Sequence, residues 1–226
     1  IASGFGLASV LAVVTLGDES GHELGEVQQV KLAAIEAEWE TQQAPASFTM
    51  LAIPNQKEMR NDYAIEIPYL LGIIATRSLD TEVKGLKQLL AENEQRIRNG
   101  VTAVEMLDKI RSGDTDPAVK QRFIETKKDL GYGLMLQLYA KDMNNPTDEE
   151  YKAAAQGTIP PVLPLYFAFR LMVGAGGLLV LIIGLSFWLT ASNRIGQKPW
   201  IHRMALYGIP LPWIACEAGW FIAEYG

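Results

Sequence analysis

From Leu171 to Ala191 the chain runs 21 residues without a charge, LMVGAGGLLVLIIGLSFWLTA. A helix rises about 1.5 Å per residue, so roughly 20 such residues cross ~30 Å of hydrocarbon, and this run is expected to span a membrane. A core helix of a soluble protein is usually shorter and keeps a polar edge, which this run lacks. Met204 to Ala223 is a second apolar stretch, with Glu217 as its one charge and with Pro210 and Pro212 expected to kink it. Ile1 to Gly17 is a third; it has no initiator Met and no basic leader, and reads as the second half of a helix whose beginning lies elsewhere. The chain therefore reads as a piece of a longer polytopic protein.

Between these stretches the pattern turns polar and helical. Glu26–Trp39, Leu79–Arg98, Val101–Ile110 and Ala118–Leu130 are expected helices, the last preceded by a turn, SGDTDP, with Asp116 as N-cap before Pro117. Pro45 and Pro54 are expected to leave Gln42–Lys57 irregular. Ile67–Thr76 is too short to cross a bilayer and is read as a packed or interfacial element. The fold class expected is all-α: a fragment of a polytopic helix bundle with a large, mostly helical extracytoplasmic loop. Its parts are a helix over 1–17, a loop over 18–159, a helix over 160–192, a hairpin over 193–203 and a helix over 204–226.

Composition alone would mislead. The 226 residues carry a net charge of −6 and are 49% hydrophobic, which suits a mildly acidic soluble protein and excludes a disordered chain, a disulfide scaffold and a basic nucleic-acid binder. Yet only Glu217 and Glu224 of 26 acidic residues, and only Arg170, Arg194, Lys198 and Arg203 of 20 basic ones, lie beyond residue 159. The acidity belongs to the loop. The hairpin SNRIGQKPWIHR holds Arg194, Lys198 and Arg203 and no acid, which places it in the cytoplasm and the loop outside. A loop of that length is too large to be a mere connector.

Ionisable residues inside a membrane are costly and are functional candidates. Met172 lies 21 residues from Asn193, and Glu224 lies 21 from Arg203, so both fall roughly 30 Å from the hairpin, at one outer level. Trp213, Glu217, Trp220 and Glu224 share one helix face. Taken singly, Met172 could be core filler, the tryptophans interfacial anchors, Arg170 a snorkelling cation and the glutamates bonded within a bundle. Together they could hold a prosthetic group, since a thioether is a soft axial ligand for haem iron, a carboxylate a hard one, and an arginine can pair with propionates. His22 and His202 lie outside the expected spans.

Several segments resemble one family: GDESG at 17–21, KLAAIEAEWET at 31–41, IPYLLGIIATRSLD at 67–80, LGYGL at 130–134, PLYFAFRLMVG at 164–174 and IPLPWIACEAGWFIAEYG at 209–226. They are similar to subunit I of the cytochrome bd-type quinol oxidases, in the form with a long quinol-binding loop. The resemblance implies an electrogenic quinol:oxygen oxidoreductase in the bacterial inner membrane. It would carry a low-spin haem b, a high-spin haem b and haem d, and would oxidise quinol at the outer face and reduce O2 to water. It implies Met172 as a ligand of the low-spin haem b iron, Glu224 at the high-spin haem b iron, and Arg170 and Trp220 beside the haems. Lys31 and Glu36 would be the quinol-binding residues, although five residues of helix put them about 140° apart. Glu217 has no implied role, and proton handling is the expectation for it. Implied partners are the rest of subunit I, subunit II, a small single-helix subunit and membrane lipid. The rival reading is a transporter or receptor with an outer solute-binding domain and intramembrane proton-relay carboxylates.

Overall fold

The computed structural model describes residues 1–44, 46–69, 71, 82–143 and 145–226. It divides into two compact units. One comprises residues 1–38, 42–83 and 161–226; the other comprises 39–41 and 84–160.

In the first unit, α1 (Ala2–Val27) lies along α7 (Val162–Ala191), with Gly4 and Gly6 facing Phe187 and Ile183. These are the two helices among the described residues that are long and apolar enough to cross a membrane. They bury almost none of that apolar surface within the chain: Phe5, Val13 and Leu16 of α1 and Leu171, Val173 and Trp188 of α7 are exposed. Such faces suit lipid or further helices. The stretch expected to form a third, kinked span carries two helices, α8 (Pro199–Tyr207) and α9 (Leu211–Tyr225). Pro210 and Pro212 offer no N–H to the preceding turn, so the helix is interrupted over residues 208–210.

A short helix, α2 (Gln29–Glu36), follows α1 and packs on α7. An antiparallel hairpin then forms from β1 (Phe48–Asn55) and β2 (Arg60–Ile67). The helical fold stands, but the irregular stretch expected over Gln42–Lys57 is overturned in its second half, where Phe48–Asn55 is strand. Pro54 is tolerated because it sits near the strand's end, where the register shifts. Of the element expected over Ile67–Thr76, positions 70 and 72–76 lie outside the described residues.

The second unit holds α3 (Leu86–Arg111), α4 (Pro117–Thr126), α5 (Leu130–Met135) and α6 (Asp148–Gln156). The two helices expected over Leu79–Arg98 and Val101–Ile110 are one continuous α3; positions 79–81 lie outside the described residues. Gly100 does not break it. A Cβ there would meet Asp129 O and Gly133 N at 2.3 Å, so its bare backbone lets α3 and α5 cross closely. Ile97 and Val101 pack there with Leu136, Ala154 and Ala155. Asp116 caps α4 as expected, accepting from the Ala118 amide at 2.9 Å.

Candidate functional site

The sequence KLAAIEAEW ends its helix abruptly. Ala37 adopts a left-handed conformation (φ 53°, ψ 40°), and the amides of Ala37 and Glu38 turn back to Ala34 O and Ala33 O. Small apolar residues at 33, 34 and 37 let this turn bury completely, which takes the carboxylates of Glu36 and Glu38 inside with it. A buried carboxylate needs a partner or a proton.

Arg170 supplies the partner for Glu36. It lies two turns into α7, and its Nη2 donates to Glu36 Oε2 at 2.8 Å, with the two side chains only 15% and 5% exposed. Nη1 donates to Ile35 O at 3.1 Å, and Nη2 also reaches the carbonyl of Thr49 on β1. The guanidinium lies over the Tyr166 ring at 4.1 Å, with Phe48 and Phe169 around it. Tyr166, itself fully buried, donates its hydroxyl to the same Thr49 carbonyl at 3.2 Å. One planar cation thus joins α2, β1 and α7, a task suited to arginine's fixed fork of donors. Its buried Nε has no hydrogen-bond partner among the described residues.

Glu38 is held differently. Gln42 Nε2 donates to it at 2.7 Å and the Thr49 hydroxyl at 3.4 Å. Desolvation pushes both carboxyls up from 4.5 to about 7: Glu36 against the pull of Arg170, and Glu38 further raised by Glu36 and Glu66.

The remaining expected residues fall elsewhere. Lys31 Nζ donates to Ala223 O at 3.1 Å, beside Glu224 on α9, so Lys31 and Glu36 reach different helices. The Met172 sulfur lies on Gly219, where a Cβ would approach it to 3.1 Å. Gly219 precedes Glu224 by five residues, about 7.5 Å along α9. Trp213, Glu217, Trp220 and Glu224 form an exposed face of α9, while Ala218 and Ile222 are buried on its other side. No group of three or more His, Cys, Asp or Glu able to hold a metal ion occurs among the described residues. Thr49, Tyr166 and Glu38 are the members of the junction that the sequence reading missed. The alternation EAE across a helix end was the available signal for Glu38; nothing local marks Thr49 or Tyr166.

Three comparisons bear on this geometry. The sequence model of the family described as cytochrome bd terminal oxidase subunit I matches residues 1–226. The chain is 47% identical over 226 residues to the cytochrome bd-II ubiquinol oxidase subunit 1 of Escherichia coli (strain K12), covering 100% of this chain and 44% of that one. It is 27% identical over 221 residues to the cytochrome bd ubiquinol oxidase subunit 1 of Bacillus subtilis (strain 168), covering 98% and 35%. Among solved structures, the bd oxidase from Geobacillus thermodenitrificans superposes with a TM-score of 0.57 at 25% identity, over 97% of this chain and 35% of that one. The chain thus spans less than half the length of these relatives.

Proposed function

The chain belongs to the cytochrome bd terminal oxidase subunit I family, and on that premise we propose that it forms a quinol-oxidising portion of a terminal respiratory oxidase. The observation that carries this reading is the Glu36–Arg170 contact. It ties the loop residue implied in quinol oxidation to the arginine implied beside the low-spin haem b, two positions from Met172.

The residues present fit haem. Met172 offers a soft thioether at the α7–α9 seam, the buried Nε of Arg170 has no partner among the described residues and would suit an anionic propionate, and α9 presents Trp220 and Glu224 on an exposed face. Met172 would ligate the low-spin haem b and Glu224 the high-spin haem b. Bound haem, with haem d, would supply one-electron transfer and the reduction of O2 to water. Glu36 would take the proton of a quinol hydroxyl, because a carboxyl at about 7 accepts and returns protons near neutral pH. Arg170 orients that carboxylate and stabilises its charge. Lys31 would offer an ammonium N–H to a quinol oxygen, and Glu217 would handle protons on the α9 face.

In this reading the loop 18–159 is periplasmic, the basic hairpin 193–203 is cytoplasmic, and protons from quinol leave outside, which generates a gradient across the bacterial inner membrane. A subunit I implies a subunit II; a small single-helix subunit and lipid complete the proposed surroundings. The transporter or receptor alternative is not favoured, since the family and the relatives are oxidases. The test is an optical difference spectrum of the complete protein in membranes on addition of quinol. Bands of reduced haem b and haem d are expected, and Met172→Leu should lose the low-spin haem b band alone. A wild-type spectrum without those bands overturns the function, and an unchanged Met172→Leu spectrum overturns the ligand assignment.

A further inference from the structure

Two carboxylates are buried at the α2–β1–α7 junction, and one guanidinium, that of Arg170, pairs with Glu36. Arg170 bonds Glu36, and among the described residues no cation pairs with Glu38. The charged groups acting on Glu38 are Glu36 from α2 and Glu66 from β2, while Arg170 from α7 pairs with Glu36. Two anions beside one cation in a dry site leave an uncompensated charge, so at neutral pH the pair retains one proton between its two carboxyls. Both groups converge on one residue: Arg170 and Tyr166 bond the Thr49 carbonyl, and the Thr49 hydroxyl bonds Glu38. Thr49 is in turn the cross-strand partner of Glu66, so their side chains share a face of the hairpin. Glu66 is exposed. Buried Glu36, buried Glu38 and exposed Glu66 are thus ordered from the arginine outward to water.

We propose that Glu38 is the outward proton acceptor of this site: it receives the proton that Glu36 takes from quinol and passes it to Glu66 and outer water. The assignment rests on the quinol-oxidising reading above. Oxidation of one quinol breaks two O–H bonds and yields quinone, two protons and two electrons. The electrons go one at a time to an acceptor of the ferric haem class. Each proton arriving at Glu36 leaves the pair fully protonated beside the positive charge of Arg170, a net +1 in a low dielectric. Loss of a proton from Glu38 restores neutrality, so the charge balance itself favours release outward. The raised titration of both carboxyls near neutral pH agrees with this exchange.

The experiment uses the complete oxidase with Glu38→Gln. The first readout is the infrared C=O band of a buried protonated carboxyl, titrated from acid to alkaline pH; the second is the pH profile of quinol-driven haem reduction. The wild type should lose the band as pH rises through neutral. The variant should lose the Glu38 share of that transition and reduce haem about 10-fold more slowly, less than the roughly 10²–10⁴-fold typical of a positioned acid or base because Glu36 remains. A variant with the wild-type band and pH profile, or one slowed equally at every pH, overturns the proposal. Should Glu38→Gln fail to assemble, Glu66→Gln on the exposed strand decides. It should delay proton appearance at an external pH dye with haem content intact, and undelayed release overturns the pathway. If wild-type protein shows no quinol-driven haem reduction at all, the functional reading fails, while the infrared titration still reports whether Glu38 holds a proton.

Discussion

Arg170→Lys keeps the positive charge of the junction and removes its geometry. In the wild type, two nitrogens serve three acceptors on two elements: Ile35 O and Glu36 Oε2 from α2, and Thr49 O from β1. Lysine has one nitrogen. Placed to keep Glu36 ionised, it leaves at least one backbone carbonyl buried without that donor, at about 1–3 kcal/mol. Loss of the flat stack over Tyr166 adds about 0.5–2 kcal/mol. A total of roughly 2–4 kcal/mol should weaken the docking of α2 and β1 on α7, because about 1.4 kcal/mol is a factor of ten in an opening equilibrium. The assay is amide hydrogen exchange by mass spectrometry on the complete protein. Amides of residues 33–38 and 48–53 should exchange about 30- to 700-fold faster, with those of α3 unchanged as the internal control. Wild-type protection across 33–38 and 48–53 in Arg170→Lys would refute the view that arginine's fork, and not its charge, holds the junction together.

The folded-state titration of Glu36 and Glu38 lies above their ordinary 4.5, so their contribution to docking is fully present below about pH 4.5 and is lost as pH rises through about 7. Opening of residues 33–38 should ease by on the order of 3 kcal/mol per carboxyl over that window, and the double variant Glu36→Gln/Glu38→Gln should flatten the dependence when exchange is followed against pH. Gly100→Ala forces a methyl onto the backbone of Asp129 and Gly133, and should cost about 3 kcal/mol, read as faster exchange in α5. Gly131→Ala, with nothing within 4 Å, should leave α5 unchanged or slightly firmer. Tyr166→Phe removes one hydroxyl donor from the Thr49 carbonyl, which still has Arg170, so a loss of about 1 kcal/mol in the protection of β1 is expected.

The parts of this chain legible in its sequence are those governed by local or one-dimensional rules. A charge-free run from Leu171 to Ala191 has few alternatives to a long apolar helix, and Asp116 before Pro117 carries its own capping chemistry. Where a residue type has two uses, local pattern favours the commoner one. Gly100 falls between the two expected helices, although its bare backbone serves a crossing whose other half, Gly133, lies 33 positions away. Pro54 predicts irregular chain, although a strand end with shifted register spares the missing N–H, and Tyr63, Ile65 and Ile67 alternate along the paired strand.

The site was hidden for a deeper reason. Glu36 and Arg170 are 134 residues apart, and neither looks unusual alone: one sits in a charged helix, the other at the edge of an apolar run. Pairing them required knowing that α2 ends in a left-handed turn which buries its last carboxylate, and that this turn lands two helical turns below the start of α7. The same folding event produces the second carboxylate. A helix ending at Glu36, followed by one left-handed residue, carries Glu38 back under the hairpin, where Arg170 is already committed. The excess anion is therefore a consequence of how the turn closes. A neutral residue at 38 would leave the salt bridge intact, whereas a carboxyl there, paired with no cation among the described residues, adds a second group that titrates near neutral pH.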